Sequence, residues 1–507
     1  MESALRGAPL NKTMITVSIM LATIIQAIDG TIANVALPHM QGSFNATLEQ
    51  VNWVLTSFIV ATAVTTPLTG WLCDRWGLKH VFLVSIGGFT LASMLCGLAN
   101  SLPEIVLARI LQGVFGAALV PLSQAVLLNI NTKEEHGSAM AIWGVGVMIG
   151  PMLGPMLGGW LTDNYSWRWV FLINLPIGAL AFAGIYRYIE SIPGERKIAF
   201  DLKGFVSLSF AVASLQLMLD RGQENDWFES WETWSEFITL TVSLSYFVVH
   251  TIKAPQGQSF FEYRLLKNMN YIMGLMFIFI VGLVLFATRS LTPSMLQGLL
   301  NYSALQAGWV LAPSGLGTMI AMLVVGKLVG KFDVRYILVI GFALTAYSLF
   351  QMSSYSLEIA EKEIIWPGFL QGVGLGLIFV PLSTATFATL TPELRAEGTA
   401  IYSLVRNLGS SVGIALVQTL LIRNAQTMHA SLVENIGVDK SNPASSTLAN
   451  GLDLSSLQGL GLVSQEIERQ ATMVGYVDDF WMMFILTLVI IPLVVLIKPV
   501  ARIKHRP

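Results

Sequence analysis

Fourteen apolar segments long enough to cross hydrocarbon as helices dominate this chain and leave it one fold class. A spanning helix needs about 20 residues, and a lipid-embedded backbone has to satisfy its own polar groups, which helices do within themselves. The cores run over 14–37, 51–72, 80–99, 104–129, 137–161, 169–188, 204–220, 235–252, 270–291, 306–327, 335–354, 364–389, 398–421 and 479–499. The weakest is 204–220, which is short and rich in Ser. Charged residues make up only 12% of the chain, against about 25% in a soluble domain. The first segment, Met14 to Leu37, is too long for a signal-peptide core and reads as a retained span.

Basic residues test the count. With the N-terminus in the cytoplasm, fourteen spans place 20 Lys and Arg inside and 7 outside, with Arg109 and Arg406 within spans. That bias follows the positive-inside rule and puts both termini in the cytoplasm. Net charge is −2, so no nucleic-acid partner is expected. Cys73 and Cys96 have neither metal-ligand nor disulfide spacing. The longest polar stretch, about 424–478, falls outside and reads as a mobile loop with one short helix over Leu462–Met473.

The chain repeats itself. LQGVFGAALVPLS (Leu111–Ser123) returns as LQGVGLGLIFVPLS (Leu370–Ser383), and HGSAMAIWG (His136–Gly144) faces EGTAIYSLV (Glu397–Val405). Gly70–Arg75 has a weaker echo in Gly326–Lys331. The expected architecture is an all-α polytopic membrane protein with two pseudo-symmetric six-helix halves and two extra central helices. The halves are 1–200 and 256–507, with the extra pair in 201–255. A duplicated helical bundle places its site where the halves meet.

Polar residues at membrane depth carry the chemistry. Asp29 lies past the midplane of the first span; burial there favours its protonated form, which suits a proton carrier. Gln26, one turn earlier, shares its face and is placed to hydrogen-bond it. Arg109 in span four either tunes that proton or tethers helices. In GWLCDRWGLKH (Gly70–His80), Gly70 and Gly77 allow close approach, Asp74 is set to pair with a cation in one conformation, and Arg75 and Lys79 anchor the loop. Plain anchoring is the alternative for the two cations. Gly146, Gly150, Gly154 and Gly158 recur every fourth residue, beside Gly159, Pro151 and Pro155. That flat stripe reads as a hinge or a tight seam between halves. Gln112, Trp53, Trp143, Met148, Gln297 and Gln371 are candidate cavity residues, with helix packing the alternative; Arg289, Arg406 and Asn407 are further polar groups at depth, unless Arg289 snorkels outward.

These motifs identify a resemblance. IDGTIANVALP (Ile28–Pro38), the Gly70–His80 loop, LARILQGVFGA (Leu107–Ala117), GVGVMIGPMLGPMLGG (Gly144–Gly159), WRWVFLINLPIG (Trp167–Gly178) and MLQGLLNYSALQAG (Met295–Gly308) together resemble the major facilitator superfamily. Specifically, they resemble its fourteen-span drug:proton antiporters of the EmrB/QacA type, and most nearly the EmrB branch of Gram-negative bacteria. The resemblance implies proton-coupled multidrug efflux across the inner membrane, with Asp29 and Arg109 in proton coupling. It also implies a periplasmic membrane-fusion adaptor and an outer-membrane channel as partners, and no cofactor beyond the proton. A proton-coupled uptake symporter of the same fold is the alternative. An enzyme acting on lipid is disfavoured, because His39, His80, His136, His250, His429 and His505 are scattered. No GxxxxGK[ST] phosphate loop occurs, so nucleotide-driven pumping is not expected of this chain.

Overall fold

Proline and helix period set where this chain bends. The computed structural model describes residues 11–191, 200–254, 265, 267–435 and 457–497, and they are helical nearly throughout. In chain order the helices are α1 (Lys12–Phe44), α2 (Leu48–Thr65), α3 (Leu68–Trp76), α4 (Leu78–Leu98), α5 (Leu102–Gly116), α6 (Leu119–Ile130), α7 (His136–Asn164), α8 (Trp169–Leu172) and α9 (Asn174–Tyr188). They continue as α10 (Leu202–Arg221), α11 (Trp231–Lys253), α12 (Met269–Ser294), α13 (Ala304–Leu328), α14 (Val334–Met352), α15 (Glu361–Phe387), α16 (Arg395–Asn435) and α17 (Leu457–Ile490). Among the described residues, thirteen helices are long and apolar enough to span, or fourteen when the bent pair α2–α3 counts as one.

That pair turns by 55° at Pro67, which lacks the N–H to continue the ladder. The breaks between α5 and α6 and between α8 and α9 fall just before Pro121 and Pro176 for the same reason. Two turns need the left-handed conformation that glycine adopts freely: Gly77, with φ 80°, joins α3 to α4, and Gly330, with φ 95°, follows α13. Both turns fall in the loops marked by the Gly70–Arg75 and Gly326–Lys331 echo, though at different positions relative to it.

One set of helices packs α1 on α7 and α9, α2 on α5, and α4 on α5 and α9. The other packs α12 on α16, α13 on α15, and α17 on α14 and α16. The sets meet through α7 on α13, α6 and α3 on α16, and α15 on α7. The start of α1 and the end of α17 lie on one side, called here the terminus side. There Lys12 pairs with Glu135 ahead of α7 at 2.9 Å, and Arg335 Nε donates to the Ile497 carbonyl at 2.5 Å.

The extra helix pair is not a passive linker. α10 packs on both α2 and α16. Asp220 accepts from Thr56 of the first set. Gln216 Nε2 donates to Ser411 Oγ of the second at 2.9 Å, and Trp227, just beyond α10, reaches Thr419 at 3.1 Å. The serines that made this span look weak are its packing face, since Ser207 and Ser214 are buried. α11 is the peripheral member, with none of its most apolar window buried.

The expected loop at 424–478 is corrected. α16 has 41 residues and α17 has 34, about 60 and 50 Å at about 1.5 Å per residue, against a hydrocarbon core of about 30 Å. Both overrun the membrane on the side away from the termini. Leu421 and Ala425 of α16 still face Gly475 of α17 there. Polar composition marked this segment as solvated, but a solvated helix pair has the same composition. Residues 436–456 lie outside the described residues.

Candidate functional site

Asp29 is carried by α1, wholly buried, and is met by donors from two other helices. Arg109 NH1, from α5, lies 2.6 Å from its Oδ2. Gln112 Nε2 and Asn174 Nδ2 donate to Oδ1 at 2.8 and 2.9 Å. Arg109 sits one turn before Gln112 on α5, so both reach the same carboxylate. Asn174 opens α9, where the break before Pro176 lets its side chain turn inward.

Arg109 is held on every side. Its Nε donates to the Val54 carbonyl at 2.9 Å and NH1 also to Gln112 Oε1 at 2.8 Å. The guanidinium lies 4.1 Å from the Phe58 ring centroid and 5.6 Å from that of Phe171. Ser93 accepts from Asn174 at 3.0 Å and donates to the Phe171 carbonyl at 2.9 Å. Three donors, one of them a cation, surround the Asp29 carboxylate. Arg109, expected either to tune the Asp29 proton or to tether helices, lies in direct contact with the carboxylate. Gln26 donates none of these bonds; the donors come from α5 and α9. Asn174 and Ser93 escaped the sequence reading, although an isolated amide inside the apolar run WVFLINLPIG was a usable signal.

The glycine stripe of α7 faces α1. A Cβ at Gly150 would stand 2.4 Å from the Ala27 carbonyl carbon, one at Gly154 2.1 Å from Thr31 Oγ1, and one at Gly158 2.9 Å from Ile32. Gly146 meets Met20, Gly159 has only Val35 at 3.9 Å, and Pro155 is exposed. Thr31 Oγ1 donates to the Gly150 carbonyl at 3.1 Å. The stripe is thus a seam inside the first set of helices, which corrects its placement between halves. Spacing gives a face but not its partner. α7 runs unbroken through Pro151. The contact between halves uses other glycines. A Cβ on Gly137 would meet Val329 at 2.9 Å, one on Gly144 Met322 at 2.6 Å, and one on Gly326 Ala141 at 2.6 Å.

Around that contact the two sets are closed on the terminus side. Gly70 brings α3 within a Cβ's reach of Glu397, at 2.7 Å. Thr399 donates to the Pro121 carbonyl at 3.0 Å, and Arg395 reaches the Leu128 carbonyl at 2.7 Å and Asn129 at 2.9 Å. Asp74 is half-buried beside Gly77. Arg75 and Lys79 lie over Trp71 and Tyr186, at 6.0 and 5.5 Å, within their own half.

The cavity candidates scatter. Trp143 is buried and stacked on Phe379 at 5.7 Å across the two sets. Met148 receives Arg289 NH2 at 3.4 Å. Gln371 donates to Thr288 at 3.2 Å, and Arg406 to its neighbour Asn407 at 3.3 Å. Trp53 instead lines two outer grooves of about 330 and 350 Å³ between α2 and α5. Gln297 is exposed on the π turn Met295–Leu299.

A duplicated bundle of spanning helices, closed between its halves on one side and holding an ion pair at depth in the first half, has the architecture of a membrane transporter. A family model, Major Facilitator Superfamily, matches residues 19–414. The multidrug export protein EmrB of Escherichia coli K12 is 33% identical over 506 residues, covering 98% of this chain and 97% of that one. The fatty acid resistance protein FarB of Neisseria gonorrhoeae is 34% identical over 502 residues, with the same coverage. The crystal structure of the human organic anion transporter MFSD10 superposes with a TM-score of 0.60 at 15% identity, over 95% of this chain and 100% of that chain. The proton:xylose symporter XylE gives 0.59 at 11%, over 95% and 96%. The chain belongs to the major facilitator superfamily and, within it, to the EmrB-type transporters.

Proposed function

We propose that this chain exports hydrophobic and amphipathic compounds from the cytoplasm in exchange for protons, as the inner-membrane member of a three-part pump. The observation that carries the reading is the buried Asp29–Arg109 pair with its two amide donors. A proton reaching Asp29 removes the negative charge that Arg109 faces. Arg109 keeps Val54 and Gln112 as partners, so the pair has two bonded arrangements that differ by one proton. Helices α1, α5 and α9 converge on that carboxylate, and α1 also packs along α7, the helix that meets the other half. Protonation thereby biases the contact that has to open and close.

The terminus side is the cytoplasm in this reading, on the 20-to-7 distribution of basic residues. One proton falling through about 150 mV supplies roughly 3.5 kcal/mol, enough for an outward gradient on the order of 300-fold for a neutral compound. Arg289 and Arg406 form no ion pair among the described residues, and half-buried cations at membrane depth favour substrates bearing an acidic group. The α16–α17 overhang, on the periplasmic side here, offers an adaptor a rigid surface to grip.

The test uses proteoliposomes with an entrapped pH dye, an imposed pH gradient, and organic acids, uncouplers and hydrophobic cations in turn. Substrate-triggered proton flux is expected in wild type and absent in Asp29→Asn. Undiminished flux in that variant overturns the role of Asp29. Proton and substrate moving in the same direction overturns export in favour of uptake.

A further inference from the structure

Among the described residues, Asp479 is the second wholly buried carboxylate, and its surroundings are the opposite of those at Asp29. It lies on α17, about 27 Å along a helical path from Ile497 at about 1.5 Å per residue, close to the depth that Asp29 reaches from Lys12. Neither carboxylate oxygen has a hydrogen-bond partner. One turn before it, Gly475 lets α17 close on α16, where a Cβ would stand 3.0 Å from the Leu421 carbonyl. One turn after it, the Met483 sulfur lies 3.6 Å from the Thr288 hydroxyl of α12. Val417, Phe480 and Met483 are buried without remainder in this layer.

Among the described residues, no cation is placed to neutralise it. On α17 the neighbours are Asp478, of like sign, and Tyr476. The turn after α14 brings Tyr355, stacked edge-on against Phe480. α12 carries Arg289, whose guanidinium is turned to Met148 of the other half. α16 offers Val417 and Leu421 here, and its Arg423 is exposed. An ionised carboxylate with no partner and no exposed surface is highly unfavourable in an apolar interior, so the neutral acid is what this packing admits.

The repeat shows how the acid came to stand alone. Gln112 and Gln371 are 259 residues apart, and so are Asp29 and Thr288. Gln112 donates to Asp29, and Gln371 donates to Thr288. The second half thus keeps the glutamine but has Thr288 in place of the acid. It has Gly368 in place of Arg109, at that same interval. Its carboxylate has moved to the last helix, one turn from the methionine that touches Thr288.

We propose that Asp479 is a second proton-binding site, carried by the C-terminal half and loaded in the arrangement seen here. The inference rests on the proton-coupled reading above for its role in transport, though not for its protonation. The proton leaves when movement of the halves lets water reach this face of α17. Two loaded sites make the exchange two protons per substrate and raise the attainable gradient for a neutral compound to about 10⁵-fold.

Infrared difference spectra of the purified full-length protein test the protonation directly. A protonated-carboxyl stretch is expected at neutral pH in wild type. It should be lost in Asp479→Asn, restored in Asp479→Glu, and retained in Asp29→Asn and Asp478→Asn. A band absent from wild type, or unchanged by Asp479→Asn, overturns the proposal whether or not transport is coupled to protons. In proteoliposomes, the proton-to-substrate ratio from null-point gradients should fall from two to one in Asp479→Asn and return in Asp479→Glu. A ratio unaltered by Asp479→Asn also overturns it, while proton flux lost only in Asp29→Asn leaves the coupled-export reading standing.

Discussion

Removing both partners of the Asp29–Arg109 pair should destabilise the protein no more than removing one of them. Asp29→Asn keeps the amide bonds of Gln112 and Asn174 within reach but strands a guanidinium that is 1% exposed. Arg109→Met preserves contact with Phe58 and Phe171 but strands a carboxylate that is wholly buried. Breaking a buried pair from one side costs about 3–5 kcal/mol, most of it the uncompensated charge. The double variant strands neither charge. Its loss is then about that of one single variant, giving a coupling energy of about 3 kcal/mol. Equilibrium unfolding in mixed micelles across the four-member cycle reads this number. Single variants whose losses add to within about 0.5 kcal/mol would mean that the groups act independently, and the ionised-pair argument would fail.

Four further outcomes follow from the geometry. Gly150→Ala, whose Cβ would overlap the Ala27 backbone, should lower the detergent unfolding midpoint as an overpacked core does, by about 1–3 kcal/mol; Gly159→Ala, with Val35 at 3.9 Å, should not. Gly326→Leu should hold the terminus side apart at Ala141, so a cysteine replacing the buried Thr399 reacts faster with a polar maleimide than in the wild-type background. Arg289→Gln should raise KM for acidic substrates and leave that for cations unchanged, measured as proton flux in proteoliposomes. Lys12 and a backbone N–H hold the Glu135 carboxyl below the usual glutamate range. The contribution of the Lys12–Glu135 contact is therefore complete above that range and lost as pH falls through the lowered value. The small unfolding difference between wild type and Glu135→Gln should close over that acid window.

The spans were legible because hydrocarbon thickness and backbone satisfaction leave one reading of a long apolar run. The repeat was legible because Leu111–Ser123 and Leu370–Ser383 preserve glycine, proline and glutamine at fixed spacing. Asp29 and Arg109 stood out as charges at depth, but their pairing depends on how α1 and α5 face each other, which no local pattern states. The α7 stripe was found and assigned to the wrong neighbour for the same reason. Asp479 was passed over because it opens the last apolar block, where an acid resembles an interfacial residue. Only the overrun of α17 beyond the membrane shows that the block begins earlier. The overrun itself was hidden because Ser, Gly and Gln suit a loop and a solvated helix alike.

The inserted helix α10 holds one half through Thr56 and the other through Gln216 and Ser411. When the halves rock, Thr56 and Ser411 must move relative to each other, and a single rigid helix cannot follow both. One set of bonds has to break, or α10 has to slide between them. The fourteen-span form of this fold therefore carries a brace across the moving joint. Its unmaking is a separate event in every cycle, and it can set the pace of transport without touching either proton or substrate.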